Sequence, residues 1–162
     1  MHRIKILVTL GLFFLALGLI LQAAPAADVA VVVHRDVALD NLTFAELRKI
    51  LLGDRQFWSS NSRVTLLIRA PVAPERDVVI KNVLQMSEAQ FRQYWIGKVF
   101  RAESAAAPKT VYTNEMAAAL VGSIPGSIAF IESTQVPKGT KVLRIDGLLP
   151  GDKGYPLSYS KP

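Results

Sequence analysis

The chain has 162 residues, a formal net charge of +6, 51% hydrophobic residues and no cysteine. The lack of cysteine excludes disulfide bonds, thiolate metal ligands and a cysteine nucleophile. Lysine and arginine residues are scattered and do not cluster with aromatic residues, which argues against a nucleic-acid surface.

The first 26 residues differ from the rest and predict a secretory signal. Arg3 and Lys5 give a basic start, an apolar run follows over residues 6–21, and residues 24–26 supply the small side chains of a cleavage site. We expect cleavage after residue 26, which leaves an exported domain over residues 27–162. The alternative is an uncleaved membrane anchor, for which the run is short, since a spanning helix needs about 20 apolar residues.

Apolar runs and helical periodicities alternate along the remaining chain. The runs predict strands, most of them covered on both faces, at residues 29–33, 64–69, 110–112, 127–131 and 141–146. The periodic segments predict helices between Thr43 and Gly53, over residues 74–86, from Ser87 onwards and over residues 114–123. Strands that alternate with helices predict an α/β fold, with a mostly parallel sheet and helices on both faces.

Helical spacing also predicts which side chains face the core. We expect buried stripes at Phe91, Tyr94, Trp95 and Val99 in one helix, and at Met116, Leu120 and Val121 in the next.

One segment predicts an anion site. The strand over residues 64–69 ends in Arg69, and a turn leads directly to a helix that begins near Pro74. A helix N-terminus at the carboxyl end of a strand attracts small anions. Arg69 and Arg76 are therefore candidate ligands, and Ser127 is a candidate donor.

These candidate residues have alternative roles. Arg69 could instead pair with Glu75 or Asp77, and Arg76 could be a solvated helix residue. Ser127 follows Pro125-Gly126 and could serve the turn.

No arrangement of residues indicates catalysis. The sequence contains no Ser/His/Asp set or carboxylate pair with catalytic spacing, so we expect neither an enzyme nor a cofactor. His34 is expected to be a strand-boundary residue and not a metal ligand, because the only other histidine is His2 in the predicted signal.

Several motifs between residues 28 and 160 occur in a specific order: Leu42-Thr43 with Glu46-Leu47-Arg48, Arg76 with Val83-Leu84, Tyr94-Trp95, Pro125-Gly126-Ser127-Ile128-Ala129-Phe130, and Val142-Leu143-Arg144-Ile145-Asp146-Gly147 with Tyr155-Pro156-Leu157-Ser158. In this order and spacing they resemble the phosphate-type periplasmic binding proteins of ABC transporters. Members of that family usually have two lobes. The chain corresponds to the second lobe and the return segment, which implies a single periplasmic-binding-protein-like lobe.

The resemblance implies a function as well as a fold. It implies an exported domain in a bacterial periplasm that holds phosphate or a similar oxyanion for an ABC transporter permease, and that meets the membrane only if the signal is uncleaved. In the phosphate-binding members an arginine ends the strand, as Arg69 does here, and Arg76 matches a basic residue that often follows the ligand loop.

The ligand loop departs from the family pattern. The family has Ser-Gly-Thr where this chain has Ala73, Pro74 and Glu75. Two hydroxyl donors are lost, Pro74 has no N–H, and Glu75 adds a negative charge. Each hydrogen bond to a charged group contributes about 1.5–3 kcal/mol. We therefore expect much weaker anion binding than in that family.

A second interpretation is an interaction module that has lost its ligand. Such a lobe would dock on a protein partner, or on a second copy, through the surface that the missing lobe would cover. Phe57, Trp58 and Tyr155 are the candidates for an exposed aromatic surface.

Overall fold

The computed structural model of the protein describes residues 26–59 and 61–160. The predicted signal therefore lies, apart from residue 26, outside the described residues. The described elements follow in this order: β1 (Ala26–Val33), β2 (Asn41–Leu42), α1 (Phe44–Leu51), β3 (Thr65–Arg69), α2 (Pro74–Asp77), a π-helix (Val78–Val83), α3 (Glu88–Phe100), β4 (Lys109–Val111), α4 (Asn114–Ser123), β5 (Ser127–Glu132), a 3-10 turn (Ser133–Gln135), β6 (Lys141–Val142), β7 (Arg144–Ile145) and β8 (Ser158–Ser160).

The central sheet has the strand order β4-β3-β5-β1-β6, and β8 also pairs with β1. β3 is parallel to β4 and β5, whereas β1 is antiparallel to β5, β6 and β8. Because β6 and β8 run against β1, they point the same way as β3, and β1 is the one reversed strand among these six. The prediction of a mostly parallel sheet is confirmed.

Helices cover both faces of this sheet, as predicted. On one face the odd-numbered valines of β1 pack with Ile68 and Phe130 against α1, the π-helix and α3. On the other face Ala30, Val32 and Leu67 pack against Ala117 and Val121 of α4. The unbroken apolar strands thus match a sheet that is buried on both sides.

Local sequence signals fix the starts of two helices. The Thr43 hydroxyl accepts a hydrogen bond from the Glu46 N–H at 3.1 Å, and Glu46 Oε2 accepts one from the Thr43 N–H at 2.8 Å. Ser87 and Gln90 form the same reciprocal pair at the start of α3. An N-cap of this kind contributes about 1 kcal/mol, and the predicted helix starts are confirmed.

The helix predicted over residues 74–86 is α-helical only as far as Asp77. From Val78 it widens into a π-helix, in which the Leu84 N–H donates to the Val79 carbonyl five residues earlier, at 3.1 Å. The wider winding buries a broad apolar set: Val78, Val79, Ile80, Val83 and Leu84. The predicted helix is therefore present as far as residue 83, and sequence periodicity did not report its change of winding.

Two residues predicted to face the core are exposed. Val99 and Met116 lie on the outer surfaces of α3 and α4, where Trp95 and Ala117 provide the buried contacts instead. β4 is the last strand of the sheet on its side, and Phe100 at the end of α3 is exposed. Within the same part of the chain, no helix is both long enough and apolar enough to cross a membrane.

Candidate functional site

The strands β3, β4 and β5 end side by side at one edge of the sheet, which we call the carboxyl edge and define by Arg69, Val111 and Glu132. In α/β proteins, residues that follow parallel strands at such an edge commonly form ligand sites. Arg69, the arginine that the sequence predicted at a strand end, is one of the residues at this edge.

Arg69 is held by protein groups. Its side chain is 11% exposed, and Nη1 donates a hydrogen bond to Asn114 Oδ1 at 2.7 Å. Nη2 lies 4.0 Å from Glu75 Oε2, so the Arg69–Glu75 pair is present. The third nitrogen, Nε, is buried and has no hydrogen-bond partner.

Glu75 places a negative charge beside Arg69. It lies in the first turn of α2, is almost completely buried, and its Oε2 has no hydrogen-bond partner. Because a buried carboxylate is costly unless a cation is near, the Arg69 guanidinium and Glu75 stabilise each other. The same carboxylate repels any further anion that approaches Arg69.

A chain of polar contacts extends the network along the carboxyl edge. Asn114 Nδ2 donates to Gln135 Oε1 at 2.7 Å, and Gln135 Nε2 donates to Glu132 Oε2 at 3.3 Å. Tyr159 donates to the same Glu132 oxygen at 3.4 Å. Burial, together with the nearby negative charges of Glu132 and Glu75, raises the pKa of Tyr159 to about 12. One arginine therefore shares this network with two carboxylates.

Arg76 braces the loop between β3 and α2. Its Nε and Nη2 donate to the two carboxylate oxygens of Glu88 at 2.9 and 2.7 Å, and Nη1 donates to the Arg69 carbonyl at 2.8 Å. The guanidinium also lies over the Phe91 ring, 5.3 Å from its centroid. Hydrogen bonding to Arg76 lowers the pKa of Glu88. Arg76 is buried, so it is not the solvated helix residue that one alternative expected.

Ser127 lies away from both arginines. It begins β5 and pairs with Thr65 at the start of β3, so four residues, or about 13 Å of strand, separate it from the Arg69 level. It is completely buried, and its hydroxyl donates to the Val121 carbonyl at 3.3 Å. Ser127 and Arg69 therefore lie at opposite edges of the sheet, because Ser127 begins its strand and Arg69 ends one.

His34 follows the last residue of β1 and lies at the edge of the sheet opposite the carboxyl edge. Its Nδ1 is 2.6 Å from Asp36 Oδ1, which also accepts a hydrogen bond from the Gly126 N–H at 3.2 Å. Hydrogen bonding to His34 lowers the pKa of Asp36. Among residues 26–59 and 61–160, no group of three or more potential ligands is arranged to hold a metal ion.

Two of the three aromatic residues proposed for an exposed docking surface are buried. Trp58 Nε1 donates to the Gly126 carbonyl at 2.9 Å, and the Tyr155 hydroxyl donates to the Val29 carbonyl at 2.9 Å. Only Phe57 of the three is exposed. Aromatic side chains with a satisfied polar atom fit a core, and the sequence did not reveal their partners.

The sequence interpretation missed a large apolar surface. A groove of about 660 Å³ lies between one face of α3 and strand β4, and we call it the α3–β4 groove. Phe100 and Ile96 are 90% and 57% exposed there. The lining residues are Pro71, Arg76, Glu88, Phe91, Arg92, Trp95, Ile96, Val99, Phe100, Ala107 and Thr110.

Comparison of the sequence with protein-family models and with curated proteins returned no match. Solved structures do match in fold. A Clostridium perfringens protein assigned as a phosphate ABC transporter substrate-binding protein, whose structure holds phosphate, is 15% identical with a TM-score of 0.68. The match covers 85% of this chain and 54% of that one.

Two further phosphate-related structures give the same result. An ABC-type phosphate transport receptor from Vibrio cholerae is 19% identical, with a TM-score of 0.67 and coverage of 84% of this chain and 55% of that one. PstS from Borrelia burgdorferi is 17% identical, with the same TM-score and coverage of 86% and 57%. The chain thus spans about half the length of these structures and has the fold of that part.

Proposed function

We propose that this chain is a binding-protein-like lobe that holds a small oxyanion, with phosphate as the first candidate, at the carboxyl edge. Arg69 is the contacting cation. The observation that carries the proposal is the buried Nε of Arg69, which has no protein acceptor and lies where the β3–α2 loop begins. The fold likeness to phosphate-binding proteins supports the choice of ligand.

Arg76 acts in this proposal as a positioning residue. Its hydrogen bond to the Arg69 carbonyl and its pair with Glu88 hold the end of β3 against the start of α3. Glu75 limits the affinity, because its carboxylate already lies 4.0 Å from Arg69 Nη2. We infer that the oxyanion binds weakly and that the negative charge of Glu75 lowers its affinity.

Export and transport complete the proposal. The predicted signal supports a periplasmic or secreted domain, and an ABC transporter permease would receive the ligand. The alternative of an aromatic docking surface at Phe57, Trp58 and Tyr155 loses support, because Trp58 and Tyr155 are core residues.

Isothermal titration with phosphate and sulfate tests the site. We expect weak phosphate binding by the unmodified protein, loss of that binding in Arg69→Ala, and at least about tenfold tighter binding in Glu75→Gln, which corresponds to about 1.4 kcal/mol. Lys153→Ala removes a positive charge from an exposed position and serves as the matched control.

Two results would contradict the proposal. One is phosphate binding that Arg69→Ala leaves unchanged, which would place the ligand elsewhere. The other is silence in the unmodified protein that persists in Glu75→Gln, since removal of the competing charge should then have uncovered the site.

A further inference from the structure

The α3–β4 groove combines two features of a peptide-binding site, a helix face and an unpaired strand edge. Its helical wall uses residues at helical spacing along α3, from Glu88 to Phe100. Its other wall is formed by Thr110 of β4, with Pro71 and Ala107 beside it. β4 is the outermost strand of the sheet on this side.

The helical wall exposes three large apolar side chains next to one another. Ile96, Val99 and Phe100 are all exposed and adjoin the buried rings of Phe91 and Trp95. Contiguous apolar surface of this kind on a folded protein commonly marks a binding site. By contrast, isolated exposed residues such as Phe57 need no explanation.

The strand edge offers free backbone groups. The Ala70 N–H donates to the Val111 carbonyl at 2.8 Å, so the polar backbone groups of Val111 face β3. Backbone direction alternates along a strand, and the N–H and C=O of Thr110 therefore face away from the sheet. An added strand can pair with them.

The charges around the groove favour an acidic occupant. Arg92 lines the groove, is exposed, and forms no ion pair within the described part of the chain. The one carboxylate that lines the groove, Glu88, is already bound by Arg76. A second copy of this chain would bring a second exposed Lys109 to the paired β4 edge, and like charges there disfavour self-pairing.

We propose that the α3–β4 groove binds an extended segment of a protein partner, which adds to the sheet beside β4 through Thr110. Alternate apolar side chains of the segment pack on Ile96, Val99 and Phe100, and its acidic side chains meet Arg92. Strand addition supplies affinity through backbone hydrogen bonds, and the groove selects the side chains. This surface adjoins the Arg69 site and shares Arg76 with it, but the apolar residues and the strand edge used here take no part in that site.

A phage-displayed library of random linear peptides provides the probe. We expect selection on the purified protein to enrich peptides that alternate apolar residues and carry Asp or Glu. Synthetic copies of the enriched peptides are then titrated while the fluorescence of Trp95 and Trp58 is followed, and binding should weaken as salt rises.

Variants of both walls test the geometry. The double substitution Ile96→Asp with Phe100→Asp should weaken peptide binding at least tenfold, and so should Thr110→Pro, which removes the outward N–H. Thr110→Val keeps that N–H, and Met116→Asp adds a charge to an exposed apolar position on the other face of the sheet. Both should bind the peptides as the unmodified protein does, and circular dichroism confirms that each variant is folded.

Three outcomes would overturn the proposal. If the peptides bind the Asp double variant as tightly as the unmodified protein, their binding site is not the groove. If selection on the unmodified protein enriches no peptides beyond those enriched on the Asp double variant, the groove does not bind peptides. A dimer in sedimentation that the Asp double variant dissociates would assign the groove to a second copy of the chain.

Discussion

The carboxyl edge and the α3–β4 groove lie next to each other. They differ in whether their side chains find partners within the protein. At the carboxyl edge, Arg69 and Arg76 face Glu75 and Glu88 in a mostly buried set of contacts. In the groove, Ile96 and Phe100 face solvent with no covering element among the described residues. The region that resembles a ligand site is largely occupied by the protein itself, and the uncovered region is apolar.

This difference separates the tasks of the two arginines that flank the β3–α2 loop. Arg76 uses three nitrogens for protein acceptors, so its removal should affect stability first. Arg69 retains one unused donor, so its removal should affect both stability and binding. The exposed groove residues Ile96 and Phe100 should affect neither stability nor oxyanion binding.

The largest expected effect is that of Arg76→Ala. It removes a two-pronged ion pair, a hydrogen bond to the Arg69 carbonyl and a contact with the Phe91 ring. Because Glu88 remains 40% exposed, we expect a loss of about 2–3 kcal/mol, less than for a fully buried pair. Urea denaturation measures it. Arg92→Ala, at an exposed position of α3, is the control and should change stability by less than about 0.5 kcal/mol. Equal losses would show that Arg76 does not brace the loop.

A double-mutant cycle sharpens the role of Glu75. Arg69→Met and Glu75→Gln should each destabilise the protein, because each leaves the other charge buried. The double variant should lose less than the sum of the two single losses, with a coupling energy of about 1–2 kcal/mol in urea denaturation. Simple additivity would indicate that water, rather than Arg69, compensates the Glu75 carboxylate.

The pH dependence of stability tests the Arg76–Glu88 pair. The pKa of Glu88 is lowered from its ordinary value of 4.5 by hydrogen bonding to Arg76. A carboxyl with a lowered folded-state pKa stabilises the protein fully above its unfolded value and loses that contribution as pH falls through the lower folded value. The stability difference between the unmodified protein and Glu88→Gln should therefore be constant well above pH 4.5 and shrink below it. Thermal unfolding at several pH values measures this difference, and a pH-independent difference would contradict the lowered pKa.

The smallest effect on stability is expected in the groove. Phe100→Ser should change the free energy of unfolding by less than about 0.5 kcal/mol, because the ring is 90% exposed. It should nevertheless reduce the fluorescence of a hydrophobic dye bound to the native protein. Phe57→Ser removes another exposed ring outside the groove and should reduce that fluorescence less. An equal reduction would mean that the groove is no more accessible to apolar ligands than an isolated surface ring.

Much of the fold was predictable because its signals are local. The capping pairs at Thr43 and Ser87 mark helix starts within a few residues of chain. Apolar runs such as residues 29–33 mark strands that are covered on both faces. The candidate site was predictable only at Arg69, since that residue ends a strand. Asn114 and Gln135 also follow strands, so the topology rule that selected Arg69 points to them as well.

What the sequence by itself determined was the order of strands and helices, the α/β class and the position of Arg69 at a strand end, because each follows from neighbouring residues. The tertiary structure decided which side chains contact one another. It paired Glu88 with Arg76, placed Ser127 at the edge of the sheet opposite the carboxyl edge, and buried Trp58 and Tyr155. Side-chain pairs between distant segments depend on the packing of whole elements, and this packing leaves no periodic signal in the sequence.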